Sequence, residues 1–152
     1  LALHHSVEYM YRIRIQAEPI ALATEQEALW QGDFGAGAVV TFIGLMRDFN
    51  AEMAVSQMTL EHYPGMTERV FTELVAIAIN RWVLRRITLI HRIGTLAIQD
   101  PIVFIGVTSA HRSDAFNACQ FLIDELKTRA PLWKKEQTIQ GARWVTTHTC
   151  LE

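Results

Sequence analysis

The chain has 152 residues, half of them apolar and a fifth charged, with a net charge of −2. A chain of that size folds most simply as one domain and buries its core without help from disulfides or metal. The charge balance lends no support to nucleic-acid binding. Cys119 and Cys150 form no CxxC and no Cys/His ligand spacing, which argues against zinc or a disulfide framework and for a reducing compartment, the cytoplasm.

No signal peptide is visible, and Met10 reads as a natural start. One domain over residues 10–150 is expected, with 1–9 and 151–152 as added tails. Tyr11, Ile13 and Ile15 alternate with Arg12, Arg14 and Gln16, the period of a half-buried strand. Thr24-Glu25-Gln26-Glu27 is a capping-box pattern that opens a short helix through Trp30. Gly32–Gly37 reads as a loop, and Ala38–Ile43 as a buried strand rich in β-branched and aromatic residues. Gly44–Ala54 is a polar connection carrying Arg47 and Asp48.

Gln57–Tyr63 alternates as a strand, and Pro64-Gly65 is its turn. From Met66 to Trp82, Val70, Phe71, Leu74, Ile77, Ala78 and Trp82 follow helical spacing. The most apolar run here, Val70–Ile79, is interrupted by Thr72 and Glu73 and is too short to span a membrane. Arg86–Ile93 and Ile102–Thr108 read as strands joined through a turn at Gln99-Asp100-Pro101. Ser113 is positioned to cap a second long helix with Phe116, Cys119, Leu122, Ile123 and Leu126 facing inward and Pro131 closing it. Arg143–Thr147 is a last strand. No regular βαβ rhythm appears, so the class is α+β with a largely antiparallel or mixed sheet.

Charge is unevenly spread along this plan. Residues 8–33 carry five acids against Arg12 and Arg14, whereas residues 111–135 carry five Lys/Arg against Asp114, Asp124 and Glu125. The densest stretch is Lys127-Thr-Arg-Ala-Pro-Leu-Trp-Lys-Lys-Glu136, four cations in ten residues, broken by Pro131. Cations on a helix end and on the segment leaving it can converge on one anionic ligand. A basic site on a mildly acidic protein suits a small anion or an acidic peptide. His111-Arg112 precedes a helix whose first-turn N–H groups and dipole favour anions. Taken singly, each of these residues has a plainer reading: a solvated cation, a snorkelling lysine, a surface pair beside a cap. Glu61 and His62 point to opposite faces of their strand, Asp100 is a turn residue, and Cys119 lies on a buried helix face.

In order along the chain, Gly37-Ala-Val-Val-Thr-Phe-Ile-Gly44 with Arg47, Leu60-Glu-His-Tyr-Pro-Gly-Met66, Leu89-Ile-His-Arg-Ile-Gly94, Gly106-Val-Thr-Ser-Ala-His-Arg112 and Lys127–Glu136 are similar to the large, catalytic subunit of molybdopterin synthase, the MoaE family. The resemblance covers about Gly37 to Val145. It implies an α/β-hammerhead-like fold with an additional antiparallel or mixed β-sheet. It also implies a sulfurtransferase of molybdenum cofactor biosynthesis that converts cyclic pyranopterin monophosphate to the dithiolene of molybdopterin. Sulfur would arrive as the C-terminal thiocarboxylate of a small ubiquitin-like, MoaD-like carrier subunit ending in Gly-Gly. The assembly would be a homodimer within a heterotetramer.

By motif, the resemblance makes Lys127 the central catalytic residue, as general base or transient acyl acceptor, with Lys134 assisting. Substrate contacts fall to Leu45, Met46, Arg47, His111, Arg112, Lys127, Lys134, Lys135 and Glu136, with Arg47 acting across the dimer interface. Leu45 stands where some members carry lysine. No metal and no cofactor beyond the substrate are expected. Two other classes compete: a non-catalytic module binding an acidic peptide or phosphorylated metabolite, and a cysteine persulfide transferase.

Overall fold

The computed structural model describes residues 10–47, 55–138 and 141–145. Its elements in chain order are β1 (Tyr11–Gln16), α1 (Leu22–Ala28), β2 (Ala38–Leu45), β3 (Val55–His62), α2 (Met66–Arg81), β4 (Ile87–Arg92), β5 (Gly94–Ala97), β6 (Pro101–Ser109), α3 (Arg112–Arg129), β7 (Leu132–Thr138) and β8 (Gly141–Val145). The strands form two four-stranded sheets, one in the order β1-β4-β6-β2 and one in the order β5-β3-β7-β8. The first is mixed, because β1 pairs parallel with β4 while β4–β6 and β6–β2 are antiparallel. The second is antiparallel throughout. This is the expected α+β class with mixed and antiparallel sheets.

One face of the first sheet is covered by the two long helices. Phe71, Leu74, Val75 and Ala78 of α2 and Ala118, Cys119, Leu122 and Leu126 of α3 meet Leu89, Val103, Ile105 and Val107 in the main core. Burying such side chains stabilises the fold by roughly 1.5–3 kcal/mol each. The other face is covered over β4 and β6 by α1 and its flanks, where Ile20 and Leu29, with Leu22 of the helix, meet Ile90 and Phe104. Leu29 lies so close that a Cβ on Gly106 would meet its Cδ1 at 2.3 Å. A third cluster, Met46, Met58, Leu60, Leu96 and Ile102, ties the start of β6 to the second sheet.

Several boundaries differ from the sequence reading, each for a visible reason. The short helix opens at Leu22, with Ala21 as its N-cap and no side-chain cap, so Thr24 lies inside it and the capping box is not formed. Glu25 is instead buried and ion-paired to Arg12 and Arg14 of β1. The run at Ala38–Leu45 is an edge strand rather than a buried one, with Val39, Ile43 and Leu45 exposed. The N-cap of α3 is His111, two residues ahead of Ser113. Pro131 does end that helix: Ala130 before it is extended at φ −68°, ψ 126°. The segment beyond it is not a free connection but β7, an interior strand of the second sheet. The strand β5 carries no pattern that marks it in the sequence, and of the expected last strand Arg143–Val145 lies in β8 while 146–147 lie outside the described residues.

Candidate functional site

Register and helix direction sort the basic residues into two groups. In β2, Ala38 stands opposite Ser109 and Leu45 opposite Pro101. The chain turns at Ala110, and α3 folds back over β6 and β2. Its N-terminal end therefore stays at the Ser109 end of the sheet, while its C-terminal end returns toward Leu45 and Pro101. At about 1.5 Å per residue, Arg112 and Lys127 are separated by about 22 Å along the helix. His111 and Arg112 thus occupy one end of the chain, and Lys127 and Arg47 the other.

At the second end, Lys127 is half-buried in the last turn of α3, where the helix dipole favours a cation. Lys134 pairs with Leu60 across β3 and β7 and is fully buried. Directly opposed residues share a sheet face, so Lys134 points to the side that carries Leu60 and Met58. That is the side of the apolar cluster containing Met46, the residue before Arg47. Lys135, next along β7, faces the other way, with its ammonium 5.6 Å from the Trp144 ring centroid. Glu136 continues β7 opposite Met58.

The Leu45-Met46-Arg47 segment has mixed exposure. Leu45 and Arg47 are exposed and Met46 is buried. The Met46 backbone is engaged on both sides, its N–H donating to Asp100 O at 2.9 Å and its carbonyl accepting from Gln99 N at 2.7 Å. Asp100 holds this turn as the sequence suggested, accepting the Ala97 N–H at 2.9 Å. The polar connection after Arg47 lies largely outside the described residues.

At the first end, an open cleft of about 670 Å³ is lined by Gly37, Ala110, His111, Arg112, Ser113 and Phe116. The N-cap His111 makes no side-chain cap hydrogen bond, and both it and Arg112 are exposed. Phe116 was expected in the core at helical spacing, yet it is 60 % exposed and lines this cleft. Ala115 beside it is fully buried in the main core. Asp114 anchors the first turn of α3 by accepting the Val83 N–H at 3.0 Å.

Two further groups bear on the chemistry. Cys119 is buried on α3, and burial pushes its thiol up to about 11, so it is held as an inert thiol. Cys150 lies outside the described residues. His62 meets the Thr67 hydroxyl at 3.3 Å, and Glu61 is exposed, which agrees with a structural rather than an acid–base pair. Among the described residues, no cluster of His, Cys, Asp and Glu could hold a metal ion. No described helix is long and apolar enough to cross a membrane.

Comparison with known proteins extends this picture over most of the chain. A Yersinia pestis protein named molybdopterin synthase catalytic subunit is 55 % identical over 134 residues, 88 % of each chain. A solved structure described as the molybdopterin biosynthesis MoaE protein from Burkholderia ambifaria superposes with a TM-score of 0.79 at 42 % identity, covering 92 % of both chains. A molybdopterin synthase structure from Staphylococcus aureus gives a TM-score of 0.79 at 32 % identity, covering 86 % of this chain and 94 % of the other. The model of the family described as MoaE protein matches residues 15–129, and the chain belongs to that family.

Proposed function

We propose that this chain is the catalytic subunit of a molybdopterin synthase, a sulfurtransferase of molybdenum cofactor biosynthesis acting in the cytoplasm. Its relatives carry the name of a catalytic subunit, which implies a companion. The companion is a small ubiquitin-like carrier whose C-terminal thiocarboxylate delivers sulfur to cyclic pyranopterin monophosphate. Because the sulfur arrives on that tail, the chain needs no metal, cofactor or reactive cysteine of its own.

The observation that carries this reading is Lys134, a lysine buried on the apolar face of a sheet at the end that also holds Lys127 and Arg47. A cation so placed is costly for a merely solvated surface and useful where a reaction develops negative charge. Lys127 acts as general base or as transient acceptor of the carrier's acyl group, and Lys134 stabilises the anionic intermediate. The His111–Arg112 cleft takes the phosphate and pterin. Since α3 holds these two groups about 22 Å apart, one complete site draws them from two copies, and a homodimer within a heterotetramer supplies both.

The test is dithiolene formation from thiocarboxylated carrier and cyclic pyranopterin monophosphate by a Lys127→Ala variant. Loss of turnover by two or more orders of magnitude with carrier binding retained supports the reading. Unchanged turnover rejects it and returns the chain to a binding module. A persulfide mechanism is disfavoured by the buried thiol of Cys119, and retained activity in a Cys119→Ser, Cys150→Ser double variant would exclude it.

A further inference from the structure

The cleft at the N-terminal end of α3 is braced from outside by a pair that none of the sequence motifs contains. Asp33, in the loop between α1 and β2, is buried, and Arg85, in the connection from α2 to β4, is partly exposed. The Arg85 guanidinium Nε donates to both Asp33 carboxylate oxygens, at 2.9 and 2.8 Å, and its Nη2 donates to Oδ1 at 2.5 Å. The cation holds the Asp33 carboxyl below its ordinary range. Asp33 Oδ1 also accepts the Gly35 N–H at 3.3 Å.

The contact continues inward. A Cβ on Gly35 would lie 2.4 Å from Arg85 Cζ, so the loop passes directly beneath the guanidinium. Two residues on, a Cβ at Gly37 would lie 2.2 Å from the Ala110 carbonyl oxygen, and the Gly37 N–H donates to Ser109 O at 3.0 Å. Arg85 is tied to the same strand end, since its N–H donates to Thr108 O at 2.8 Å. The Ser109 hydroxyl donates to Val83 O at 2.9 Å. These bonds close a ring from the end of β6 through Arg85 and Asp33 to Gly37 and back to Ala110, the residue before His111.

We propose that Asp33 and Arg85 are positioning residues for the His111–Arg112 cleft. Their ion pair holds the loop that ends at the cleft-lining Gly37 and, through Gly37, sets the turn that carries His111. The inference rests on the reading of that cleft as the phosphate-binding half of the site. It assigns Asp33 and Arg85 no contact with substrate; they act on where His111 and Arg112 stand.

Steady-state kinetics with thiocarboxylated carrier and cyclic pyranopterin monophosphate test it in the assembled enzyme. Asp33→Asn and Arg85→Ala should each raise the pterin KM about tenfold with kcat within about twofold of wild type, because binding geometry is lost while the lysines are untouched. Arg85→Lys, which keeps the charge but not the fork, should recover part of that loss. Val75→Ala, a cavity on α2 that lowers the melting temperature without touching the brace, should leave KM unchanged. Arg112→Ala should raise KM more than either brace variant. If Arg112→Ala raises KM and Asp33→Asn does not, the brace is structural only and the proposal is overturned. If Val75→Ala raises KM as much, the effect is general destabilisation and the proposal is again overturned. If Arg112→Ala leaves KM unchanged, the cleft is not the phosphate site, and the reading and the proposal fall together.

Discussion

Lys134 and Leu60 face one another across paired strands, and both are buried on the same side of the second sheet. A lysine on a face otherwise carried by Leu60 and Met58 stands where negative charge developing nearby is strongly stabilised. Lys134→Met should lower dithiolene formation by about 10²-fold or more while the variant still unfolds cooperatively. Thermal unfolding and single-turnover sulfur transfer measured on one preparation check both halves. Normal turnover in the variant would make Lys134 a structural lysine.

The length of α3 yields a complementation experiment. At pterin far below the raised KM of Arg112→Ala, chains carrying Arg112→Ala or Lys127→Ala are each expected to show little activity alone. Random pairing places the intact Lys127 of one beside the intact Arg112 of the other in half of the dimers, once per dimer. Co-expressed, they should recover about a quarter of wild-type activity if sites are shared across a two-fold axis. Activity that stays at the single-variant baseline means that each site is built from one copy.

His91 gives a pH dependence unrelated to catalysis. It lies in the interior strand β4, its ring centroid 6.2 Å from that of Phe71 and its Nδ1 2.7 Å from Arg92 O. Desolvation holds its pKa down to about 4, from an ordinary value of 6.5. The unfolded chain takes up a proton that the native state refuses. The stability associated with neutral His91 is thus fully present above about pH 6.5 and is lost as pH falls toward 4, in total about 3 kcal/mol. Urea unfolding at pH 7.5 and pH 5 should show this loss, and His91→Phe should flatten it. An equal slope in the variant would assign the dependence to other groups.

Gly37→Ala offers a steric counterpart to the ion-pair variants. The added Cβ would overlap the Ala110 carbonyl oxygen, a backbone atom with little room to move. A destabilisation of about 1–3 kcal/mol is expected, with a raised pterin KM from the shifted His111 turn. Denaturant titration and kinetics together measure the two effects. Gly32→Ala is the useful contrast, because nothing lies within 4 Å of its Cβ and only its φ of +75° opposes the change.

Much of the architecture was legible where a single periodicity governed a segment. The alternation at Tyr11–Gln16 became β1 at the same bounds, and the helical spacing from Met66 became α2, ending one residue short of Trp82. The errors fall where side chains serve something beyond their own element. Glu25 looked like part of a cap because its ion pairs with Arg12 and Arg14 are invisible to local pattern. Phe116 fits the inward face of α3 by spacing, yet Ala115 beside it is buried and Phe116 is exposed, a difference that local periodicity does not show. Leu132–Thr138 did not read as an interior strand because a lysine occupies the position where an apolar residue would mark the buried face. Conflicts of that kind gather at functional sites. The basic residues themselves were legible as a set; their division between the two ends of α3 required the fold.

The strand β2 has a consequence for handling the protein outside its natural assembly. Among the described residues no strand pairs with its outer edge, and its eight residues contain neither a charge nor a proline. Natural sheets blunt such borders with lysine, proline or a bulge over most of their length; here the irregularity comes only at the last step, between Gly44 and Leu45. Left bare during overproduction, this border is a template for sticking to the same border on another molecule. Yield and shelf life should then depend on what shields it, and a single Val39→Lys substitution is a means of keeping the isolated chain in solution.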